Sequence, residues 1–272
     1  MMIWRRLNLE GRAGFVLLVV LVLMALLAPW IVPGDPLAIT GEPLLRPLTS
    51  DAHLLGTDRL GRDVLSELLY GTRTTLLVAF FSAAASLVIG SFVGTLAGFL
   101  GGIADAILMR ITEAFQTVPG FLLALATISV TGPSVPTLIF AISIGNWTQA
   151  ARVTRAEVLS LRERDFVAAA RTLGMRPLEI AFREILPNAF GPAASLAAIS
   201  VAAAILIEAA LSFLGFGDPN RVTWGSMIAE GRTVLRTAPY LSIVPGLALV
   251  VTVLSVHLIG RGLSRNERLL QP

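Results

Sequence analysis

From Phe15 to Val32 the chain reads FVLLVVLVLMALLAPWIV, a run without one charged residue. A helix apolar on every side has no solvated face, so it must be buried in a large core or cross a bilayer. About 20 such residues cover the ~30 Å of hydrocarbon in a membrane. Further apolar stretches follow, and together they draw six candidate transmembrane helices: 13–33, 74–100, 106–131, 135–153, 190–215 and 240–260. The third is the least apolar. Arg110 and Glu113 lie in its first half, and Pro119 is expected to kink it. Charged residues are 14% of the chain, against ~25% in soluble domains. Too little polar surface is available to cover a soluble fold of this size. The first span starts after basic residues, but Pro29 follows the small-residue exit at Ala28, a poor site for signal cleavage. An uncleaved signal-anchor is expected.

All 21 basic residues are arginines. With both ends placed in the cytoplasm, Arg46, Arg59, Arg62, Arg73, Arg221, Arg232 and Arg236 fall outside, seven in all, and the other fourteen inside. That two-to-one bias is the membrane-protein pattern. It accounts for the net charge of +3 without a nucleic-acid partner. The absence of lysine excludes a GxxxxGK[ST] phosphate loop and a Schiff-base lysine. The absence of cysteine excludes thiol nucleophiles and thiolate metal sites. Only His53 and His257 offer imidazole, and they are far apart in sequence. No cofactor or metal is expected. The segment 34–73, rich in charge and proline, is too polar for lipid and is expected as an outer loop or small cap.

Ser82, Ser86, Gly90, Gly94, Gly98 and Gly102 recur every four residues along the second span. Such a stripe lets another helix backbone approach closely. Static packing is the expectation, with a sliding surface as the alternative. Glu208, inside the fifth span, must face protein or water. It either lines the solute path or satisfies donors on a neighbouring helix. Asn146 and Gln149, with Trp147 and Thr148 between them, interrupt the fourth span near its inner end. They face a central passage or form an interfacial cluster.

The stretch VAAARTLGMRPLEIAFREILPNAFGP, 167–192, breaks the apolar pattern with five charged residues, two internal prolines and two glycines. Its alanine-rich run suits a short helix ending at Gly174, a C′ glycine. Pro177 suits the first turn of a second short helix, ended by Leu186-Pro187. Val167, Ala170 and Leu173 or Gly174 would share one small-residue face for docking. A linker lying on the membrane surface is the other reading of the same spacing.

This stretch resembles the EAA loop of the membrane subunits of ABC importers. The match runs through Ala168-Ala169-Ala170-Arg171, Gly174 and Leu186-Pro187. Further stretches are similar to the permeases for dipeptides, oligopeptides and nickel. They are HLLGTDRLGRDVLSELLYGTR (53–73), GGIADAILMR (101–110), EAALSFLGFGDPN (208–220), WGSMIAEGR (224–232) and PGLALVVTVLSVHLIGRGL (245–263). They occur in the family's order and cover nearly the whole chain.

The resemblance implies an all-α polytopic membrane protein of the type I ABC importer permease fold, with both termini cytoplasmic, in a bacterial or archaeal cytoplasmic membrane. It implies an N-terminal anchor with an outer segment (1–73), a five-helix core (74–263) carrying the loop at about 156–190, and a short tail (264–272). It implies partners as well: a second homologous permease, two cytoplasmic ATP-binding subunits and an extracytoplasmic solute-binding protein. The chain would form half of a passage for di- or oligopeptides, nickel or related solutes, and would not itself hydrolyse ATP. Two positions depart from the family pattern. Ala168 stands where the loop's namesake glutamate is found, which removes a salt bridge to the ATPase. His257 and Arg261 stand where asparagine and aspartate are common.

Two other classes are weighed. A self-contained transporter or channel predicts internal repeats with matching broken spans, and no convincing repeat is present. An intramembrane enzyme needs a catalytic pair within the spans, and only Glu208 is deeply placed.

Overall fold

The computed structural model describes residues 8–269, with backbone alone for 190–195 and 263–269. Arg5, Arg6 and the end of the expected tail, 270–272, lie outside the described residues, as do the side chains of Arg265 and Arg268. Within the described range the chain is helical, and its only strand-like pairings are the isolated bridges Ile39–Arg62 and Thr57–Asp63.

The helices are α1 (Leu9–Ile31), α2 (Val64–Leu100), α3 (Gly102–Thr117), α4 (Gly120–Thr131) and α5 (Val135–Leu161). They continue with α6 (Asp165–Thr172), α7 (177–188), α8 (Phe190–Phe213), α9 (Trp224–Gly231) and α10 (Tyr240–Leu269). Four of them, α1, α2, α8 and α10, are long and apolar enough to cross a membrane. The pair α3–α4 adds a fifth if it counts as one span, but it bends by 82°. Pro119 causes the break: it cannot donate a helical hydrogen bond, and it holds Val118 in extended backbone. The expected kink is therefore a corner. α5, drawn as a span over 135–153, continues to Leu161 and is too polar to join the apolar set.

α2 begins ten residues before the expected 74. Asp63 caps it, its Oδ2 accepting from the Ser66 amide at 2.8 Å. The expected outer loop is therefore non-helical only as far as Asp63. His53 Nδ1 lies 3.1 Å from the other oxygen of that cap. The Tyr240 hydroxyl reaches the carbonyls of Leu45 and Thr57 at 2.7 and 2.9 Å, tying the loop to the start of α10.

Three apolar cores stack along the bundle. Val64, Val222, Trp224, Met227, Ala238 and Leu241 join the starts of α2, α9 and α10 under the loop. A middle core uses α2, α4, α5, α8 and α10, with Val78, Ile128, Leu138, Ile142, Ile205 and Leu211 fully or almost fully buried. The last joins α5, α6 and α7.

The small-residue stripe packs on α5. A side chain on Gly90 would overlap Ala150 and the Trp147 carbonyl; one on Gly94 would overlap the Ala151 carbonyl; one on Gly98 would press on Val158. Ser86 Oγ donates to the Ser143 carbonyl at 3.2 Å and Ser143 Oγ to the Ser82 carbonyl at 3.2 Å. The stripe is thus a close-packed seam between α2 and α5. Gly102 leaves the stripe, since nothing lies near its Cβ position.

Candidate functional site

α6 and α7 form a bracket beyond the end of α5. Asp165 in its first turn and Arg171 in its last turn both suit the α6 macrodipole. The helix then closes at Gly174, whose φ is +77°. The Gly174 amide donates to the Arg171 carbonyl at 3.0 Å and the Met175 amide to the Ala170 carbonyl at 3.2 Å. These two bonds make a complete Schellman motif, with Gly174 at the left-handed position. No atom lies within 4 Å of a Cβ built there, so glycine is required by backbone angle and not by space.

Pro177 opens α7, as expected for a first-turn proline. Leu186-Pro187 does not end the helix. The chain widens into a π-helical turn over Ile180–Ile185, where the Leu186 amide donates to the Ala181 carbonyl. Pro187, with no N–H to give, is accommodated at the start of the next turn (Leu186–Asn188), and only Ala189 separates that turn from α8.

The face of α6 that stays open is not the one expected for docking. Val167 and Ala170 are buried, packed with Val158 of α5 and Ile180 and Ile185 of α7. They fasten α6 to its own chain. Ala168, Ala169, Arg171 and Gly174 are exposed, Pro187 is exposed and Leu186 half-buried. Phe166, Ala169 and Leu173 share a turned-out apolar strip at i, i+3 and i+7, and Leu173 is 82% exposed. Arg164, Arg171 and Arg176 flank it, all exposed. An exposed apolar strip rimmed with cations has the character of a candidate contact surface. Periodicity alone could not choose between the two faces, because it does not say which one the rest of the chain covers.

The root of the bracket is pinned by charge. Arg155 Nε and NH2 each lie 2.6 Å from an Asp105 oxygen, a bidentate clamp between α5 and α3. Arg162 NH1 donates to the Gly98 carbonyl at 2.9 Å, joining the end of α5 to the end of α2. Sequence reasoning missed both ties. The separations of 50 and 64 residues leave no local signal.

Glu208 is fully buried between α8, α2 and the cap of α9. Ser212 Oγ donates to its Oε1 at 2.7 Å. The Thr75 hydroxyl beside it accepts from the Trp224 amide at 3.4 Å. The carboxyl thus sits at a helix junction, closed off from solvent within this chain. Asn146 is half-buried and donates to the Ile142 carbonyl at 3.0 Å, whereas Gln149 is exposed. Trp147 is buried edge-on against Phe115.

At the end of the bundle that carries the 34–63 loop, Arg62 faces three carboxylates. It lies 3.6 Å from Glu67, 3.9 Å from Glu230 and 3.9 Å from Asp58. Partial burial pushes the Glu230 carboxyl above its usual range. The cluster links the loop to α2 and α9.

Comparison with known proteins gives concordant findings. Residues 58–268 match the family described as "Binding-protein-dependent transport system inner membrane component". A putative peptide transport system permease protein of Brucella suis is 39% identical over 253 residues, 93% of this chain and 85% of that protein. The di/tripeptide transport system permease protein DppC of Pseudomonas aeruginosa is 38% identical over 262 residues, 94% and 86% of the two chains. The glutathione transport system permease protein GsiD of Pectobacterium atrosepticum is 36% identical over 265 residues, 96% and 87%. Among solved structures, an inward-facing conformation of the MetNI methionine ABC transporter superposes with a TM-score of 0.58 at 22% identity. That alignment covers 75% of this chain and 96% of the other. The structural likeness is one of fold.

Proposed function

This chain belongs to the family of binding-protein-dependent transport system inner membrane components, and from that premise we propose that it is the permease of an ATP-driven importer of di- or oligopeptides. The family is one of membrane subunits, and ATP hydrolysis belongs to separate chains. The peptide assignment is supported by relatives named for peptide, di/tripeptide and glutathione transport at 36–39% identity over most of the chain.

The observation that carries the mechanism is the rigid presentation of α6. Val167 and Ala170 hold it to α5 and α7, and Gly174 fixes its end. The strip of Phe166, Ala169 and Leu173 is left open to a partner. In this reading the cytoplasmic ATP-binding subunits grip that strip together with Ala168 and Arg171. Leu186 and Pro187 set the angle at which the bracket rejoins α8. When the ATPases close, α6 and α5 move as one lever, and the helices change between two packings that open the passage to opposite sides. The loss of a glutamate at Ala168 leaves shape and the arginines to make the contact.

The topology that suits this reading has six crossings, counting α3–α4 as one and α5 as another, with both termini and the bracket (about 156–190) in the cytoplasm. Residues 1–73 would be anchor and outer segment, 74–263 the permease core and 264–272 a short tail. A second, homologous permease would complete the passage, and a solute-binding protein would meet the 34–63 loop. Glu208 serves as a structural fastener; Asn146 and Gln149 mark the inner half of the path.

The test is reconstitution. The chain is combined with its ATP-binding, permease and binding-protein partners in proteoliposomes, and labelled di- and tripeptide uptake is followed with and without ATP. Uptake that needs ATP and the binding protein is expected. Uptake by the chain alone would overturn the reading.

A further inference from the structure

The junction between α3 and α5 holds a cavity of about 500 Å³, lined by Met109, Thr112, Glu113, Gln116, Arg152 and Arg155. Its volume is in the range of small-molecule sites, ~300–1,000 Å³. Its charges are unevenly matched. Arg155 is held by Asp105 at 2.6 Å, and Glu113 by Arg110 at 3.5 Å. The Thr112 hydroxyl is committed to the Leu108 carbonyl at 2.8 Å. Arg152 is different: its NH1 donates to the neutral Gln116 Oε1 at 3.2 Å, and among the described residues no carboxylate pairs with it. With its oxygen engaged, Gln116 has its amide N–H groups to offer. Gln149, exposed three positions before Arg152, shares that face of α5. An arginine in the inner half of a membrane bundle stands in water, beside an anion, or both. Here Glu113 lies in the lining but is paired with Arg110, and among the described residues no carboxylate is paired with Arg152.

We propose that this cavity is a carboxylate-binding subsite on the inner part of the solute path. Arg152 receives the C-terminal carboxylate of a di- or tripeptide as it leaves, and Gln116 donates a further hydrogen bond. A planar guanidinium beside an amide matches the two oxygens of a carboxylate. The assignment rests on the peptide-permease reading above and extends it to a named group of the solute. Arg155 is a positioning residue here: its clamp on Asp105 fixes the distance between α3 and α5, and so the width of the cavity.

The test uses the complete transporter in proteoliposomes, with trialanine and trialanine amide as competing solutes. The binding protein is the same throughout, so its own selectivity cancels between variants. The ratio of acid to amide uptake is expected to fall about tenfold in Arg152→Gln, in line with loss of a charged hydrogen bond. In Arg152→Lys, which keeps the charge without the planar fork, the ratio falls less. Gln116→Ala is expected to shift it in the same direction. A ratio unchanged in both Arg152 variants, in transporters that still import, overturns the subsite and leaves the permease reading standing. Failure of the unaltered transporter to import either solute, with its ATPase active, overturns the peptide reading and this proposal with it.

Discussion

α5 meets its neighbours α2 and α3 in opposite ways. Against α2 it has no room: Gly90, Gly94 and Gly98 bring the two backbones together, and serine hydroxyls cross-bond to carbonyls. Against α3 it leaves a polar cavity, and the two helices are tied by an arginine clamp at one level. The first seam has one good packing, because interdigitated backbones cannot slide without separating. The second can change width at the cost of a few polar contacts. A lever needs both kinds. In the proposed reading, α2 and α5 form the stiff unit that carries the bracket, and the corner at Pro119 with the α3 seam is where the bundle yields.

The largest effect expected from breaking this contrast is at Gly94. Gly94→Leu drives a side chain into the Ala151 carbonyl and the Thr154 side chain. It is expected to cost more than about 3 kcal/mol, seen as loss of folded protein from the membrane and a collapsed melting transition. Survival of this variant with normal melting would mean that the seam is looser than drawn. At the bracket the contrast is between angle and space. Gly174→Ala and Gly174→Leu are expected to lose a similar ~1–2 kcal/mol, because the positive φ is strained for either while the surroundings are open. Gly174→Asn is expected to lose less. ATP-coupled uptake across the three variants checks this, and a loss that grows with side-chain size would show instead that a partner presses on the glycine.

Arg155→Gln removes the clamp on the yielding seam. The pair is partly exposed, so about 1 kcal/mol or less of stability is at stake. The clearer readout is mobility: amide exchange in α3 should rise while that in α2 stays fixed. Ala156→Leu points a larger side chain at the cavity and is expected to change the melting temperature hardly at all, within about 0.5 kcal/mol. Equal damage from Ala156→Leu and Gly94→Leu would erase the distinction between the two seams.

Much of this was legible in the residues. The apolar runs gave the membrane class, the period-four stripe gave close packing, and the order Ala-rich run, Gly174, Pro177 gave the bracket's bend. Each is a local signal, fixed by propensity or backbone angle. The rest depends on contacts between distant residues. Nothing within the 165–172 stretch says that Val158, Ile180 and Ile185 cover Val167 and Ala170, so those two residues were expected on an open face, while Leu173 and Gly174 of the same expected face are exposed. The start of α2 at Val64 was obscured because its first turns are polar, although Asp63 is a capping residue of the usual kind. Pro119 announced a bend but not its size; the 82° corner needs Gly120 and Gly145 pressed together across α4 and α5.

The central claim is that α6 turns one face to its own chain and the other to the ATP-binding subunit. The chain has no cysteine, so single-cysteine variants report cleanly. In membranes containing the full transporter, Ala169→Cys should crosslink to the ATP-binding subunit in an ATP-sensitive manner, and Val167→Cys should not. Crosslinking at Val167 with none at Ala169 would contradict the account.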